Sequence, residues 1–382
     1  MKSLRILLTG GGSGGHVYPL LAVADALRKS AVEKNIPLEL RYLGPLDEWS
    51  VALKDADVEM SSLVSGKIRR YFSLLNLLDI PKFFMGVIEA FIKVFWHMPD
   101  AIFSKGGSGA LPVVFAGWFY RIPILIHESD AAPGLTNLAS APFASRIAVT
   151  FERAAHYFTA RKTVAVGTPL RAALLADRVD NVAAKRELGF ETDRPLIFVE
   201  GGSQGSRRIN EFLMVALKDI IGTAQVLHQT GAANYADISK LARAVLINVP
   251  LKAETESRYR AVAFLDAEQM AQALSAADLV VARAGSGNIS EIAAFGKPSI
   301  LIPLRESAND HQKTNAYAFA KTGAAAVIEE ANLLPGIFVN QIKAILGNPQ
   351  LMEKMSAASA AFGKRGAAEA IADELLRMGE KK

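Results

Sequence analysis

The sequence predicts an α/β protein made of two doubly wound parallel-sheet domains. Three observations lead there. Short, nearly continuous apolar runs alternate with helix-length amphipathic stretches along 382 residues. That alternation belongs to parallel sheets covered by helices on both faces. The order strand, glycine loop, helix also occurs twice, in "RILLTGGGSGGHVYPLLAVADAL" and in "RPLIFVEGGSQGSRRINEFLMVAL". Finally, the length suits two domains, and 51% hydrophobic against 21% charged residues implies well-buried cores.

The elements follow in order. In the first half, strands are expected at Arg5–Thr9, Leu38–Leu43, Ala101–Ser104, Ile122–His127 and Arg146–Thr150. In the second they are expected at Leu196–Glu200, Ala224–Gln229, Ala261–Leu265, Leu279–Ala282 and Ser299–Pro303. Each is an apolar run of strand length, too short for a helix. Helices are expected between them, among them Pro19–Lys29, Ile209–Ile221 and Ala267–Ala276. The pattern restarts after Gly167-Thr168-Pro169-Leu170, where the proline suits a hinge. Expected domains are therefore 1–169 and 170–356. The tail Ala357–Met378 reads as a helix, with Lys364-Arg365-Gly366 as a break before it. This C-terminal helix, about 357–382, is a candidate to pack back on the first domain.

There are no cysteines, which removes disulfides, thiolate catalysis and cysteine zinc sites and fits a reducing compartment. The net charge of +5 is confined to residues 1–172, which hold 19 Lys+Arg and 14 Asp+Glu; the rest holds 24 of each. A basic first half suits an anionic partner or is solvated surface charge. The N-terminal apolar run is only a strand's length, so no signal peptide is expected. The apolar region Tyr71–Phe103 is broken by Asp79, Lys82, Glu89 and Lys93, and offers no membrane span.

Four glycine-rich loops follow strands: Gly10–Gly15, "SKGGSGALP" from Ser104, "GGSQG" from Gly201 and "ARAGSGNISE" from Ala282. Glycine lets a backbone approach an anion, and a helix N-terminus supplies N–H groups and a positive dipole end. Gly10, Gly12 and Gly15 fit the dinucleotide pattern G-x-G-x-x-G. That pattern also needs an acid at the end of the second strand to hold a ribose. Here that end is Tyr42-Leu43-Gly44, so NAD and FAD are not expected. No G-K-[ST] follows either, which excludes a Walker loop. Glu291, inside the helix after the fourth loop, either accepts ribose hydroxyls or complements the helix dipole. His16 ends the first loop, where a ring reaches substrate or caps the turn. His127-Glu128-Ser129-Asp130 clusters polar groups at a strand's carboxyl end, as a site or as a structural pair. Gln312, in "NDHQKTNA", binds sugar hydroxyls or caps a helix. Asp55-Ala56-Asp57 has D-x-D spacing but lies in a charged stretch and reads as surface. No metal-ligand motif occurs.

Together these motifs resemble the peptidoglycan N-acetylglucosaminyltransferase family (MurG), of the GT-B fold, in which two Rossmann-like domains face a central cleft. The resemblance covers nearly the whole chain. It is carried by "GGGSGGHVYPLLAVA", "SKGGSGALPVV", "HESDAAPGLTN", "VGTPLR", "GGSQGSRRIN", "ADLVVARAGSGNISEIAAFGKPSILIP" and "NDHQKTNA". It implies inverting transfer of N-acetylglucosamine from UDP-N-acetylglucosamine, a substrate, to the C4 hydroxyl of the muramoyl sugar of lipid I, giving lipid II without a metal or other cofactor. By match of motif, Gly12, Ser13 and Gly14 lie near the donor sugar and the acceptor diphosphate. Asp130 falls where a donor-sugar contact is expected. Arg171 and Ser203 fall near the nucleotide diphosphate, and the Leu265 backbone reads uracil. Ser286, Gly287, Asn288, Ile289, Ser290 and Glu291 form the diphosphate and sugar loop, with Glu291 on the ribose, and Gln312 contacts a sugar hydroxyl.

The chain departs from the family pattern at three places. "HESD" replaces "HEQN", "VGTP" stands where "GNP" is usual, and Ser286-Gly287-Asn288 replaces Ala-Leu-Thr. His16 is the first candidate for the base and Asp130 the second. A lipid-linked muramoyl-peptide acceptor implies a peripheral protein at the cytoplasmic face of the plasma membrane, with no nucleic-acid partner. Lys67, Arg69 and Arg70 are expected to meet anionic head groups, and Phe72, Leu74, Leu75, Leu77 and Leu78 to enter the interface. From Phe83 onward the apolar residues are expected to be core. The rival readings are a UDP-N-acetylglucosamine 2-epimerase on a similar fold and a UDP-sugar-binding protein without catalysis.

Overall fold

A computed structural model describes residues 3–380, apart from 47–49, 65–73, 108, 177–178, 248–256 and 308–309; of 74–80 only the backbone is described. The chain forms two compact units. One comprises residues 1–172 and 365–382, the other residues 173–364.

The first unit runs β1 (Leu4–Thr9), α1 (Gly14–Glu33), β2 (Leu38–Gly44), α2 (Val51–Asp55), β3 (Glu59–Ser62), α3 (Leu74–His97), β4 (Ala101–Ser104), α4 (Ala110–Phe119), β5 (Ile124–Glu128), α5 (Leu135–Ser140), β6 (Arg146–Val149), α6 (Glu152–Ala155) and β7 (Thr163–Ala165). Its seven strands are all parallel, in the order β3-β2-β1-β4-β5-β6-β7. Side chains alternate across β1, so each sheet face receives its own core. Leu4, Ile6 and Leu8 join Val17, Leu20, Val23 and Leu27 of α1 on one face. Leu7 joins Val94 of α3 with Val113 and Val114 of α4 on the other.

The second unit begins within α7 (Ala172–Ala176). It continues α8 (Asn181–Glu187), β8 (Leu196–Glu200), α9 (Arg207–Ile220), β9 (Gln225–Gln229), α10 (Tyr235–Ile247), β10 (Tyr259–Val262), α11 (Ala267–Ala276), β11 (Leu279–Ala282), α12 (Ser286–Ala294), β12 (Ser299–Leu301), α13 (His311–Ala320), β13 (Ala325–Val327), α14 (Pro335–Leu346) and α15 (Pro349–Phe362). Its sheet is again parallel throughout, in the order β10-β9-β8-β11-β12-β13. Its largest core packs Ile197 and Val199 against Leu213 and Leu217 of α9 and Phe338 and Ile342 of α14.

The tail breaks at residues 363–366, over the expected Lys364-Arg365-Gly366, so the residues from Ala357 to Phe362 finish one helix and the next begins at Ala367. It forms α15, which belongs to the second unit, and α16 (Ala367–Glu380), which belongs to the first. Between them Gly363 lies so close to the Ala293 carbonyl oxygen that a Cβ would stand 2.4 Å from it. Ile371, Ala372, Leu375 and Leu376 of α16 are buried beside β1 and α1. At roughly 1.5–3 kcal/mol per fully buried large apolar side chain, this face is a substantial part of the unit's stability.

Candidate functional site

In each sheet the strand order reverses once, between β1 and β4 and between β8 and β11. Loops at the carboxyl ends of the strands diverge at such a point and leave a crevice for ligand. The glycine loops flank these two points. Gly10–Gly15 and Lys105–Gly109 lie at the first; Gly201–Ser206 and Arg283–Gly285 lie at the second.

In the first unit the two loops touch through their backbones. A Cβ on Gly107 would lie 2.3 Å from the Gly11 carbonyl oxygen, and Gly107 has φ +85°. The first loop is held from beneath by Tyr42. Its fully buried hydroxyl donates to the Gly10 and Pro45 carbonyls at 2.6 and 3.0 Å. Where a dinucleotide fold carries a ribose acid at the end of the second strand, this chain carries that brace. Ser13 caps α1 with extended backbone, and its Oγ lies 2.8 Å from His16 Nδ1. Either atom can donate; in the tautomer whose Nδ1–H donates to Ser13, the basic lone pair is on Nε2. Gly12 is exposed, and Gly14 is buried at the helix start.

The cluster at the end of β5 is wired by hydrogen bonds. His127 Nε2 donates to the Gly167 carbonyl at 2.8 Å, and burial holds this imidazole well below its ordinary value, so it is neutral. Glu128 accepts from the Asp130 and Gly134 backbone N–H groups at 2.8 and 3.0 Å and from Asn137 Nδ2 at 2.9 Å. Asp130 is half-buried. Arg171 is half-buried too, and its guanidinium stacks over the Tyr18 ring of α1, 4.7 Å from the centroid. It belongs to the first unit, although a boundary at 169/170 assigns it to the second.

In the second unit Ser203 is exposed on the loop before α9. Ser206 caps α9 through Oγ and accepts from Arg283 Nη2 at 2.7 Å. Arg283 also pairs with Glu330 at 2.6 Å, with both side chains nearly excluded from solvent. This arginine therefore fastens the two glycine loops together. The Leu265 N–H donates to Gln229 Oε1 at 2.9 Å, so a base read at Leu265 competes with Gln229 for that donor or uses the carbonyl. In the first turn of α12, Ser286, Gly287 and Asn288 are half-buried, and a Cβ on Gly285 or Gly287 would meet nothing within 4 Å. Their backbone faces open space. Ile289 has a fully buried side chain, and Ser290 Oγ is turned back onto the Ser286 carbonyl at 2.7 Å. Their side chains are therefore scaffold. Gln312 Oε1 accepts from the Leu304 N–H at 3.0 Å, bracing the loop before α13.

Glu291 is half-buried and faces a carboxyl that motif reasoning did not single out. Glu200 ends β8, is 2% exposed, and its Oε1 has no hydrogen-bond partner among the described residues. Burial and then the Glu291 charge push the Glu200 carboxyl up to about 8. Lys105 and Arg283 stand within two of the glycine-rich stretches and Glu200 and Gln229 end apolar strands, and motif reasoning singles out none of the four. Their only sequence signal is a charged or amide residue at the end of an apolar strand.

Both halves of the chain match known domains. The glycosyltransferase family 28 N-terminal domain matches residues 6–149, and the family's C-terminal domain matches 196–371. The chain belongs to glycosyltransferase family 28. Within the family it is 35% identical over 347 residues, 90% of this chain and 92% of the relative, to a Bacillus anthracis protein named UDP-N-acetylglucosamine--N-acetylmuramyl-(pentapeptide) pyrophosphoryl-undecaprenol N-acetylglucosamine transferase 2. The crystal structure of Acinetobacter baumannii MurG superposes with a TM-score of 0.74 at 25% identity, covering 98% of this chain and 99% of that one. A UDP-GlcNAc 2-epimerase from Neisseria meningitidis shares the fold at 12% identity and a TM-score of 0.66, with 98% and 100% covered.

The surface of this family 28 chain corrects one expectation. Lys67, Arg69, Arg70 and Phe72 lie outside the described residues, as do the side chains of Leu74, Leu75, Leu77 and Leu78. The stretch from Phe83 onward is not all core. Ala90 and Val94 are buried, but Phe84, Met85, Ile88, Ile92, Phe95 and Trp96 are exposed, Trp96 by 80%. At 100° per residue these six fall within one third of the α3 circumference. Trp118 and Phe119 of α4 are exposed as well, and Phe91 of α3 packs 5.1 Å from Phe119. No helix among the described residues is long and apolar enough to cross a membrane.

Proposed function

We propose that the chain transfers N-acetylglucosamine with inversion from UDP-N-acetylglucosamine to the C4 hydroxyl of the muramoyl sugar of lipid I, giving lipid II. The observation that carries this reading is the pairing of glycine loops at both switch points, in a family 28 chain whose relatives over nine-tenths of its length are named for that reaction. In the second unit Glu291 takes the ribose hydroxyls. The N–H groups of Ser286, Gly287 and Asn288 and the Ser203 loop take the diphosphate, the Leu265 backbone meets uracil, and Gln312 meets a sugar hydroxyl. Charge collects on the leaving UDP, where fixed N–H dipoles stabilise it. In the first unit Gly12, Ser13 and Gly14 face the acceptor diphosphate, and His16 removes the C4 hydroxyl proton, its ring oriented by Ser13. A second reading makes Asp130, half-buried just past the end of β5, the base.

A lipid-linked acceptor requires access to a bilayer surface. The exposed apolar stripe of α3, with Trp118 and Phe119, is suited to lie in the interface plane, and this supports peripheral binding at the cytoplasmic face. The deciding experiment measures UDP release from UDP-N-acetylglucosamine with and without a lipid I analogue. Acceptor-dependent release is expected. Acceptor-independent sugar isomerisation would establish an epimerase, and binding without turnover a non-catalytic protein.

A further inference from the structure

Arg283 follows β11 directly and is 6% exposed. Its guanidinium meets three separate parts of the second unit. Nη2 donates to Ser206 Oγ at 2.7 Å, where the Gly201–Ser206 loop enters α9. Nη1 donates to the Ile302 carbonyl at 3.1 Å, just past β12, and pairs with Glu330 at 2.6 Å. Glu330 is itself buried, and its other oxygen holds Arg208 of α9 at 3.2 Å. The Arg283 charge is therefore balanced inside the protein by a carboxylate and is not held for a ligand. The two glycine loops are otherwise anchored on different neighbours. Gly205, at φ +75°, is wedged on the end of β9, where a Cβ would stand 1.9 Å from the Thr230 carbonyl oxygen. In the other loop the Arg283 and Ala284 carbonyls accept from Asn288 Nδ2 and Asn315 Nδ2 at 3.4 and 3.3 Å. Those bonds occupy the loop's acceptors and leave the first N–H groups of α12 as its outward polar groups. Among the described residues, Arg283 to Ser206 is the one side-chain hydrogen bond between 201–206 and 283–288.

We infer that Arg283 is a positioning residue for the donor diphosphate: through Ser206 it fixes the spacing of the α9 and α12 N-termini, so that N–H groups of both meet one diphosphate. The inference rests on the reading that these two loops take the diphosphate of a UDP-sugar. A diphosphate has to meet both loops at once, so its binding depends on their spacing. In that reading a nucleoside meets Glu291 of α12 and the Leu265 backbone but not the Ser203 loop, so its binding does not. Lysine keeps a charge for Glu330 but lacks the planar fork that reaches Ser206, Ile302 and Glu330 together.

The test is calorimetric titration of the full-length protein at pH 7.5 with UDP, and with uridine by displacement of UDP. Arg283→Lys should weaken UDP at least roughly tenfold and leave uridine within about twofold of wild type. Ser206→Ala keeps Arg283 and its ion pair, and should weaken UDP by roughly threefold to tenfold, again sparing uridine. Ser206→Thr restores the hydroxyl and should return UDP to within about twofold of wild type. Adding Ser206→Ala to Arg283→Lys should cost no more than about another twofold, because the bond between them is already lost. Full additivity of the two losses would assign Ser206 to its cap on α9 alone and overturn the inference. So would an equal loss of both ligands, or an undiminished UDP affinity, in Ser206→Ala, the variant that decides the matter where Arg283→Lys does not fold. Where wild type prefers UDP to uridine and the variants keep the same preference, only the role of Arg283 fails. Where wild type binds UDP no more tightly than uridine, the loops do not take a diphosphate, and the inference falls with that reading.

Discussion

Replacing Glu200 with glutamine should stabilise the protein, by an amount that grows with pH. Glu200 is buried, its Oε1 has no hydrogen-bond partner among the described residues, and it faces Glu291. Its carboxyl is raised from 4.5 in the unfolded chain to about 8 in the folded one. Between those values the folded chain holds a proton that the unfolded chain has released. Stability therefore falls as pH rises through that window and levels off above about 8. The slope is about 1.4 kcal/mol per pH unit, and the total over the window is on the order of 5 kcal/mol. Glutamine has the same shape and no such slope. Wild type and Glu200→Gln should differ little near pH 5, and the variant should be more stable by several kcal/mol at pH 8. Urea unfolding at pH 5, 6.5 and 8 measures this, followed by far-UV circular dichroism. Tryptophan fluorescence would miss it, because Trp49, Trp96 and Trp118 all belong to the first unit. Taking the difference between the two proteins cancels every titration that is not coupled to Glu200, which leaves Glu200 and its neighbour Glu291. A difference constant across pH would refute the assignment of a neutral Glu200. The same titration should raise the wild-type KM for donor above about pH 8, where a second carboxylate forms beside Glu291, and leave the variant's KM flatter.

Three further outcomes follow from the structure. His16→Ala should lower kcat at saturating donor by roughly 10²–10⁴; turnover near wild type would transfer the base role away from His16. Phe95→Ser with Trp96→Ser should weaken co-sedimentation with anionic vesicles at least tenfold, since each ring contributes roughly 1.5–3 kcal/mol when buried, and unchanged binding would count against α3 as the membrane face. Tyr259→Phe should cost about 1–3 kcal/mol in urea unfolding at pH 7, with no pH dependence between 5 and 8. In that network Asn210 Nδ2 donates to the Thr230 carbonyl and its Oδ1 accepts from His228 Nε2, so Nδ1 must accept from the Tyr259 hydroxyl. Burial holds His228 at about 3, so it stays neutral throughout that range, and a cost below 0.5 kcal/mol would contradict the tautomer assigned.

The strands that the sequence leaves unmarked share a position. β3, β7 and β13 each lie at a sheet edge, and β10, the fourth edge strand, is displaced from the expected Ala261–Leu265 to Tyr259–Val262. A central strand is buried on both faces and shows an unbroken apolar run, as in β8, "LIFVE". An edge strand such as β3, "EMSS", has a neighbour on one side only and needs no such run. Helix α3 misleads for the opposite reason. Its apolar residues exceed what one buried face requires, and composition cannot tell which face meets protein. At the site, the glycine loops are legible because close approach to an anion demands glycine at fixed spacing. Lys105, Glu200 and Arg283 are not, because a buried charge finds its partners across strands far apart in sequence and leaves no local period.

The placement of α16 sets an order of assembly. The second unit is one continuous stretch, and it can close as soon as residue 364 has been made. The first unit starts at the N-terminus, yet its β1–α1 face stays uncovered until Ile371, Leu375 and Leu376 arrive. Domains often complete in the order in which they are synthesised. Here the half made first has to wait for the half made last. A nascent chain halted just after residue 364 would present a finished second unit and a first unit with an open apolar face, the species on which a chaperone would act.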